Sequence, residues 1–185
     1  MAIPLVRPGN RHRWYPRRLR TRLLLALIGI LLAGFLLPEH FQNPVSGAST
    51  GDWHPQSYWY HPWGKSGVHK GVDIFGKKGQ PVVSAVNGLV LSVGSGGRGG
   101  KRVIVLGPRW RCHYYAHLDH ISTQRFAFVL AGERLGTMGD TGNAAGKPPH
   151  LHYVIFSMIP YPWRMRFVPQ GWKRMVYLNP IPKLH

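Results

Sequence analysis

The sequence predicts an all-β domain preceded by one apolar helix, on three observations. Short β-type runs punctuated by glycine recur about every ten residues from Trp59 onward, the spacing of a fold built from hairpins. No segment after residue 38 shows the apolar periodicity of an amphipathic helix. Residues 23–37, in contrast, form a run without a charged or polar side chain, directly behind an arginine cluster.

Taken in order, residues 1–22 form a basic arm with seven arginines and no acid. Residues 23–38 are expected to be a transmembrane anchor or signal segment. The run is shorter than the roughly 20 residues of a full span, a length that suits a signal-peptide core or a short uncleaved anchor. No small-x-small site follows it immediately, so an anchor is the expectation. The arginines then mark the cytoplasmic side and everything after Pro38 lies across the membrane. A basic arm can also serve as a nucleic-acid tail, but beside an apolar run it reads as an orientation signal, and no nucleic-acid partner is expected. Residues 39–56 have the turn-forming composition of a linker. Residues 57–185 are left as the folded domain.

Within that domain strands are expected at 72–75, 81–86, 89–93, 102–106, 112–117, 126–129 and 151–156, with Asn87-Gly88 signalling a hairpin between the second and third. The glycine-rich stretch 94–102 is not a phosphate loop, because Ser95 and Arg102 stand where a P-loop needs glycine and Ser/Thr; it reads as a flexible connection. The lone Cys112 cannot form an internal disulfide and reads as a small, half-buried strand residue. All six acids lie beyond residue 38, against seventeen of the 24 basic residues. An exported domain with that excess is attracted to anionic envelope polymers or lipid headgroups.

The chemistry centres on histidines. In a strand His150 and His152 share a face, since side chains alternate. Alone the pair is weak evidence. His69 and Asp73, four residues apart and expected on one face of a strand, add a third imidazole and a carboxylate, and Tyr115-Ala116-His117-Leu118 adds a fourth imidazole. Imidazole nitrogens and a carboxylate oxygen are ligands that zinc takes, with one position kept for water in hydrolytic sites. Nickel, copper and iron accept the same donors.

The order His-x-x-x-Asp, Tyr-Ala-His-Leu, His-Leu-His resembles the lysostaphin-like zinc endopeptidases, which cut the peptide part of bacterial peptidoglycan. The likeness extends over Gly79-Gln80-Pro81-Val82, Asn87-Gly88-Leu89-Val90, Ala131-Gly132-Glu133-Arg134-Leu135-Gly136 and Gly139-Asp140-Thr141-Gly142-Asn143, about residues 66–156, with an echo at Tyr177-Leu178-Asn179-Pro180. The resemblance implies antiparallel sheets forming a groove, of the duplicated hybrid motif type. It implies His69, Asp73 and His152 as zinc ligands, and His117 and His150 as unligated catalytic histidines whose roles the sequence does not divide. It further implies a peptidoglycan peptide as substrate and a bacterial inner membrane location, single-pass, with the domain outside the cytoplasm. There is no His-Glu-x-x-His motif, so a histidine replaces the glutamate base of many metalloproteases.

Two departures stand out. Val154 occupies a position where the family often has Glu, and the loop 143–149 is longer than usual, with two prolines. His54, His61, His113 and His120 fit no ligand spacing and read as surface or groove residues, with His61 and His113 as candidates to line a cleft. Asp119 reads as a solvated turn acid. The aromatic and basic residues after Phe156 have a composition seen at membrane interfaces, at polymer-binding surfaces and in packed terminal extensions. A different class of function, a non-catalytic peptidoglycan-binding or hydrolase-activating protein of the same fold, leaves room for a regulatory protein partner. Inactive members of such a family typically lose a ligand position, and this sequence keeps all three.

Overall fold

A computed structural model describes residues 17–184. The chain divides after Ala33 into two units, considered separately below. The described residues of the first belong to helix α1 (Arg17–Leu36), whose 19-residue stretch Arg18–Leu36 is long and apolar enough to cross a membrane. The sequence run of 23–37 gives only part of this length. Arg18, Arg20 and Arg22 lie within the helix, all three exposed. Most of the arginine-rich arm lies outside the described residues.

The second unit is an antiparallel nine-stranded sheet: β1 (Val72–Phe75), β2 (Pro81–Val83), β3 (Gly88–Gly94), β4 (Lys101–Gly107), β5 (Arg111–Ile121), β6 (Phe128–Val129), β7 (Arg134–Met138), β8 (His150–Ser157) and β9 (Tyr177–Leu178). The main path runs β1-β8-β5-β4-β3-β6; β9 adds to β8, and β7 bridges β2 and β5. Alternation sorts the side chains of the central strands. Val72 and Ile74 of β1, Tyr115 and Leu118 of β5, and Leu151, Tyr153 and Ile155 of β8 are fully buried in one core. The Tyr115 hydroxyl inside that core accepts a hydrogen bond from the Ala85 amide at 2.8 Å, so the ring is buried without an orphaned polar group.

Three expectations change. The Asn87-Gly88 hairpin does not form, because β2 pairs with β7 while β3 pairs with β4 and β6. Asn87 instead accepts the Ala131 amide at 2.7 Å, spending its side chain on a loop tie. Strand β7 was hidden in the sequence by Gly136, where a Cβ would press on the His120 carbonyl of the adjacent strand. Its glycine is a close-approach device rather than a turn. Finally, His113 is neither surface nor groove. It is fully buried on β5 with Nδ1 2.6 Å from the Tyr153 hydroxyl, and burial pushes its pKa down to about 3. His54, His61 and His120 are exposed, and His61 is not among the groove residues. Cys112 is buried rather than half-buried, and desolvation raises its thiol to about 11, which leaves it a packing residue.

The stretch 39–56 carries little regular structure, yet it is packed into the domain. Val45 is fully buried and bridges Val82, and Trp53 joins the core. Glu39, 4% exposed, accepts from Arg111 at 2.6 Å and from Lys183 at 3.1 Å. It thereby links the start of the domain, its central strand and its end. Removing the carboxylate would leave a part-buried guanidinium unpaired. Glu39→Ala is expected to cost about 3–5 kcal/mol in denaturant unfolding, well above the effect of an exposed charge.

Candidate metal centre

The site is built on β8 and its two neighbours. The register sets Asp73 of β1 directly opposite His152, and Ala116 of β5 opposite it on the other side. Directly opposed residues project from the same face. Asp73 and His152 therefore meet above the sheet while Val72, Leu151 and Tyr153 fill the core beneath. His69 does not share a strand with Asp73, as their spacing suggested; it comes from the loop before β1, because its backbone is pinned by mutual bonds with the 59–60 segment, Trp59 N to His69 O at 2.7 Å and His69 N to Tyr60 O at 3.0 Å. Gly71 makes this approach possible, because a Cβ there would strike the Tyr153 carbonyl.

His69 Nε2 lies 3.2 Å from Asp73 Oδ1 and 3.2 Å from His152 Nδ1, and His152 Nδ1 lies 2.7 Å from Asp73 Oδ1. Ligand atoms about 2.0–2.1 Å from a tetrahedral zinc are separated by about 3.3 Å, so this triangle has the size of a ligand shell. The tautomer fits too. His69 Nδ1–H donates to the Ser57 carbonyl at 3.0 Å, which leaves Nε2 as the lone-pair nitrogen facing the other two atoms. Lone pairs and a carboxylate crowded together repel unless a cation or a proton lies between them. Where a proton on the imidazoles rather than a cation lies between them, burial raises the Asp73 carboxyl, but hydrogen bonds from His152 and His69 outweigh it and hold the group well below the usual carboxylate range. These three residues fit a divalent cation such as zinc and are the candidate ligand set among the described residues. Trp63 stacks on the His69 ring at 4.2 Å, closing one side.

His117 and His150 flank the trio without joining it. Their rings are 5.0 Å apart, and His117 is 5.9 Å from the His152 ring. Each spends Nδ1–H on a backbone carbonyl, Thr141 for His117 and Pro148 for His150, both at 2.8 Å. That fixes Nε2 as the free nitrogen in both rings. Burial lowers His117 to about 4, so it is neutral across the ordinary range.

His117 also sits at φ 65°, in the left-handed region that a non-glycine residue rarely adopts. It occupies the point where β5 leaves β8, at the Ala116–His152 pair, and takes up β7, at the Leu118–Met138 pair. The break in register re-aims its side chain, a use that strand irregularities often serve. The glycine-rich loop 94–100 has a part in this beyond connecting strands, since the Gly99 carbonyl accepts the His117 amide at 2.9 Å. Asp119 lies on β5 and pairs with Lys78 at 3.6 Å; the carbonyl of Thr141, rather than a carboxylate, orients His117.

A groove of about 630 Å³ contains all five residues. Its walls add Trp63, Phe75, Arg98, Tyr114 and Lys147, which the sequence analysis did not single out. Tyr114 pairs with Val154 across β5 and β8, two residues from Ala116 and hence on the face of His152. Alternation along β5 carried that signal, but only once the register with β8 is known. Val154 itself is buried, replacing a polar side chain by packing. The proline-bearing loop 143–149 places the Pro148 carbonyl that orients His150.

An antiparallel β domain with this groove and this His/Asp/His cluster defines a class of metallopeptidase-like fold. The family model "Peptidase family M23" matches residues 67–159, and the chain belongs to that family. It is 32% identical over 143 residues to the L-Ala--D-Glu endopeptidase of Bacillus subtilis (strain 168), covering 68% of this chain and 42% of that protein. It is 32% identical over 136 residues to the murein hydrolase activator NlpD of Salmonella dublin, covering 68% and 35%. The chain thus spans less than half the length of these curated relatives. Among solved structures it is similar to the catalytic domain of lysostaphin from Staphylococcus simulans, with TM-score 0.56, 26% identity, and 69% and 88% of the two chains covered.

Gly71→Ala is expected to displace β1 from the Tyr153 carbonyl and spread the ligand triangle. Competition with a chromophoric chelator should show metal affinity lowered by about 10–100-fold, the range found when the supports of ligands are disturbed.

Proposed function

We propose that this chain is a membrane-anchored zinc endopeptidase that hydrolyses peptide bonds in bacterial peptidoglycan stems or cross-links. His69, Asp73 and His152 would hold the ion, His117 and His150 act on the substrate, α1 is the single-pass anchor, and the domain from Glu39 onward is the catalytic domain on the outer side of the inner membrane. The observation that carries this reading is the pairing of an intact ligand triangle with two neighbouring histidines, each presenting a free Nε2. Two such bases beside a metal set serve hydrolysis, whereas binding alone does not call for them.

Zinc, when bound, supplies Lewis acidity toward water and the peptide carbonyl. The protein's own groups complete the chemistry. One free Nε2 accepts a proton from the attacking water and passes it to the amine nitrogen as the C–N bond breaks, while the second ring, when protonated, donates a hydrogen bond to the carbonyl oxygen as it gains charge. The carbonyls of Thr141 and Pro148 keep both rings from turning. Trp63 and Phe75 line the groove and shield it from bulk water, while Lys70, Arg98 and Lys147 give it a cationic lining suited to carboxylate-bearing peptides.

A second reading, an activator of another wall hydrolase that works with a regulatory partner, draws on the relatives named as murein hydrolase activators. Zinc content and muropeptide release by the full-length chain in detergent distinguish the two. Wild type is expected to carry about one zinc and to release peptides, with His152→Ala losing both. His117→Ala should keep its zinc and lose about 10²–10⁴-fold in rate. Zinc-loaded wild type that releases nothing at high concentration would favour the activator.

A further inference from the structure

Residues 161–176 carry two features for which the groove has no use. The first is apolar exposure: Phe167 is 99% exposed, Trp163 73%, Trp172 57%, Val168 48% and Met165 44%. Large apolar side chains scattered singly over a surface are ordinary, but five within ten residues form a patch. The patch is held in place. Tyr161 N donates to Met175 O and Gly171 N to Val168 O, both at 2.7 Å, and Trp59 Nε1 donates to Pro169 O at 3.2 Å.

The second feature is charge. Arg164, Arg166 and Arg174 line, with Tyr58 and Trp163, a pocket of about 230 Å³. The sequence has no acid after Asp140, and among the described residues no ion pair involves these arginines or Lys173. Arg174 Nε is buried without a hydrogen-bond partner among the described residues, and its guanidinium lies 4.9 Å from the Trp59 ring centre. Arg164 and Arg166 also donate to the backbone carbonyls of Arg174 and Met165, yet three guanidinium groups without a carboxylate give the pocket a positive lining, and guanidinium geometry matches phosphate oxygens.

We propose that residues 161–176 dock the domain on an anionic lipid bilayer, with headgroup phosphodiesters in the arginine pocket and the side chains of Trp163, Phe167 and Trp172 entering the interface. Hydrated wall polymer offers Phe167, Met165 and Val168 no apolar environment to enter, whereas a bilayer interface does. Chain length agrees. Glu39 is ion-paired into the domain three residues after Leu36, the last residue of α1, and three residues of chain reach at most about 10 Å. This last point rests on the anchor reading of α1, and the test separates the two. Docking adds a second contact with the bilayer beside α1.

The test uses full-length protein with Cys112→Ser and a nitroxide at Phe167→Cys, reconstituted in vesicles of mixed phosphatidylglycerol and phosphatidylcholine or of phosphatidylcholine alone. A label at Leu27→Cys reports the helix, and one at the exposed Ser95→Cys serves as the aqueous control. Docking predicts that the Phe167 label gains several-fold in its oxygen-to-nickel-chelate accessibility ratio in the anionic vesicles only, while the Ser95 label stays in water. Arg164→Gln with Arg166→Gln should lower the docking equilibrium about 25-fold, two basic residues at about fivefold each. A Phe167 label equally exposed to water in both vesicles, with the Leu27 label in lipid, would overturn docking. So would immobilisation of the Phe167 label by purified peptidoglycan alone, which would assign the face to wall polymer. A water-exposed Leu27 label would sink the anchor instead, and the Phe167 label would still read docking.

Discussion

The antiparallel register of β8 between β1 and β5 is the constraint on which the candidate site depends. It sets Asp73 against His152 and stops β5 from following β8 past Ala116, so that His117 turns in the left-handed region toward the same groove. A slip of one residue in β8 would send His150 and His152 into the core and Leu151 into the groove. The fully buried side chains of Ile74, Leu151, Tyr153 and Tyr115 oppose that slip, because each alternate position is apolar and filled. Packing beneath the sheet thus fixes the geometry above it.

Backbone carbonyls do much of the orienting work. Ser57, Thr141 and Pro148 each take the Nδ1–H of one histidine, and all three belong to segments outside the central strands. The loops are therefore part of the site. Their positions depend in turn on glycines at close approaches, such as Gly71 under the Tyr153 carbonyl.

Several of these relations were legible in the sequence. Period-two alternation put His150 and His152 on one face, and the spacing of His69 and Asp73 placed an imidazole and a carboxylate within reach of each other. What stayed hidden depends on partners distant along the chain. Asn87-Gly88 has the residues of a two-residue hairpin, but β2 finds a better partner in β7, and Asn87 serves a loop. Gly136 disguised β7 for a related reason, since its missing side chain matters only once His120 lies beside it. His113 resembled its neighbours in sequence, yet its place on β5 points it at the Tyr153 hydroxyl. The stretch 39–56 has a linker's composition, and only the positions of Val82, Arg111 and Lys183 show why Val45 and Glu39 are held.

His69, Asp73 and His152 are the proposed protein ligands of the metal, with His117 outside the set. X-ray absorption at the zinc edge of the full-length protein tests this assignment most directly. The expected result is a nitrogen/oxygen shell at about 2.0–2.1 Å with two imidazoles and no sulfur, unchanged by His117→Ala and dismantled by Asp73→Ala. A shell containing sulfur from Cys112, or one that loses an imidazole in His117→Ala, would contradict it.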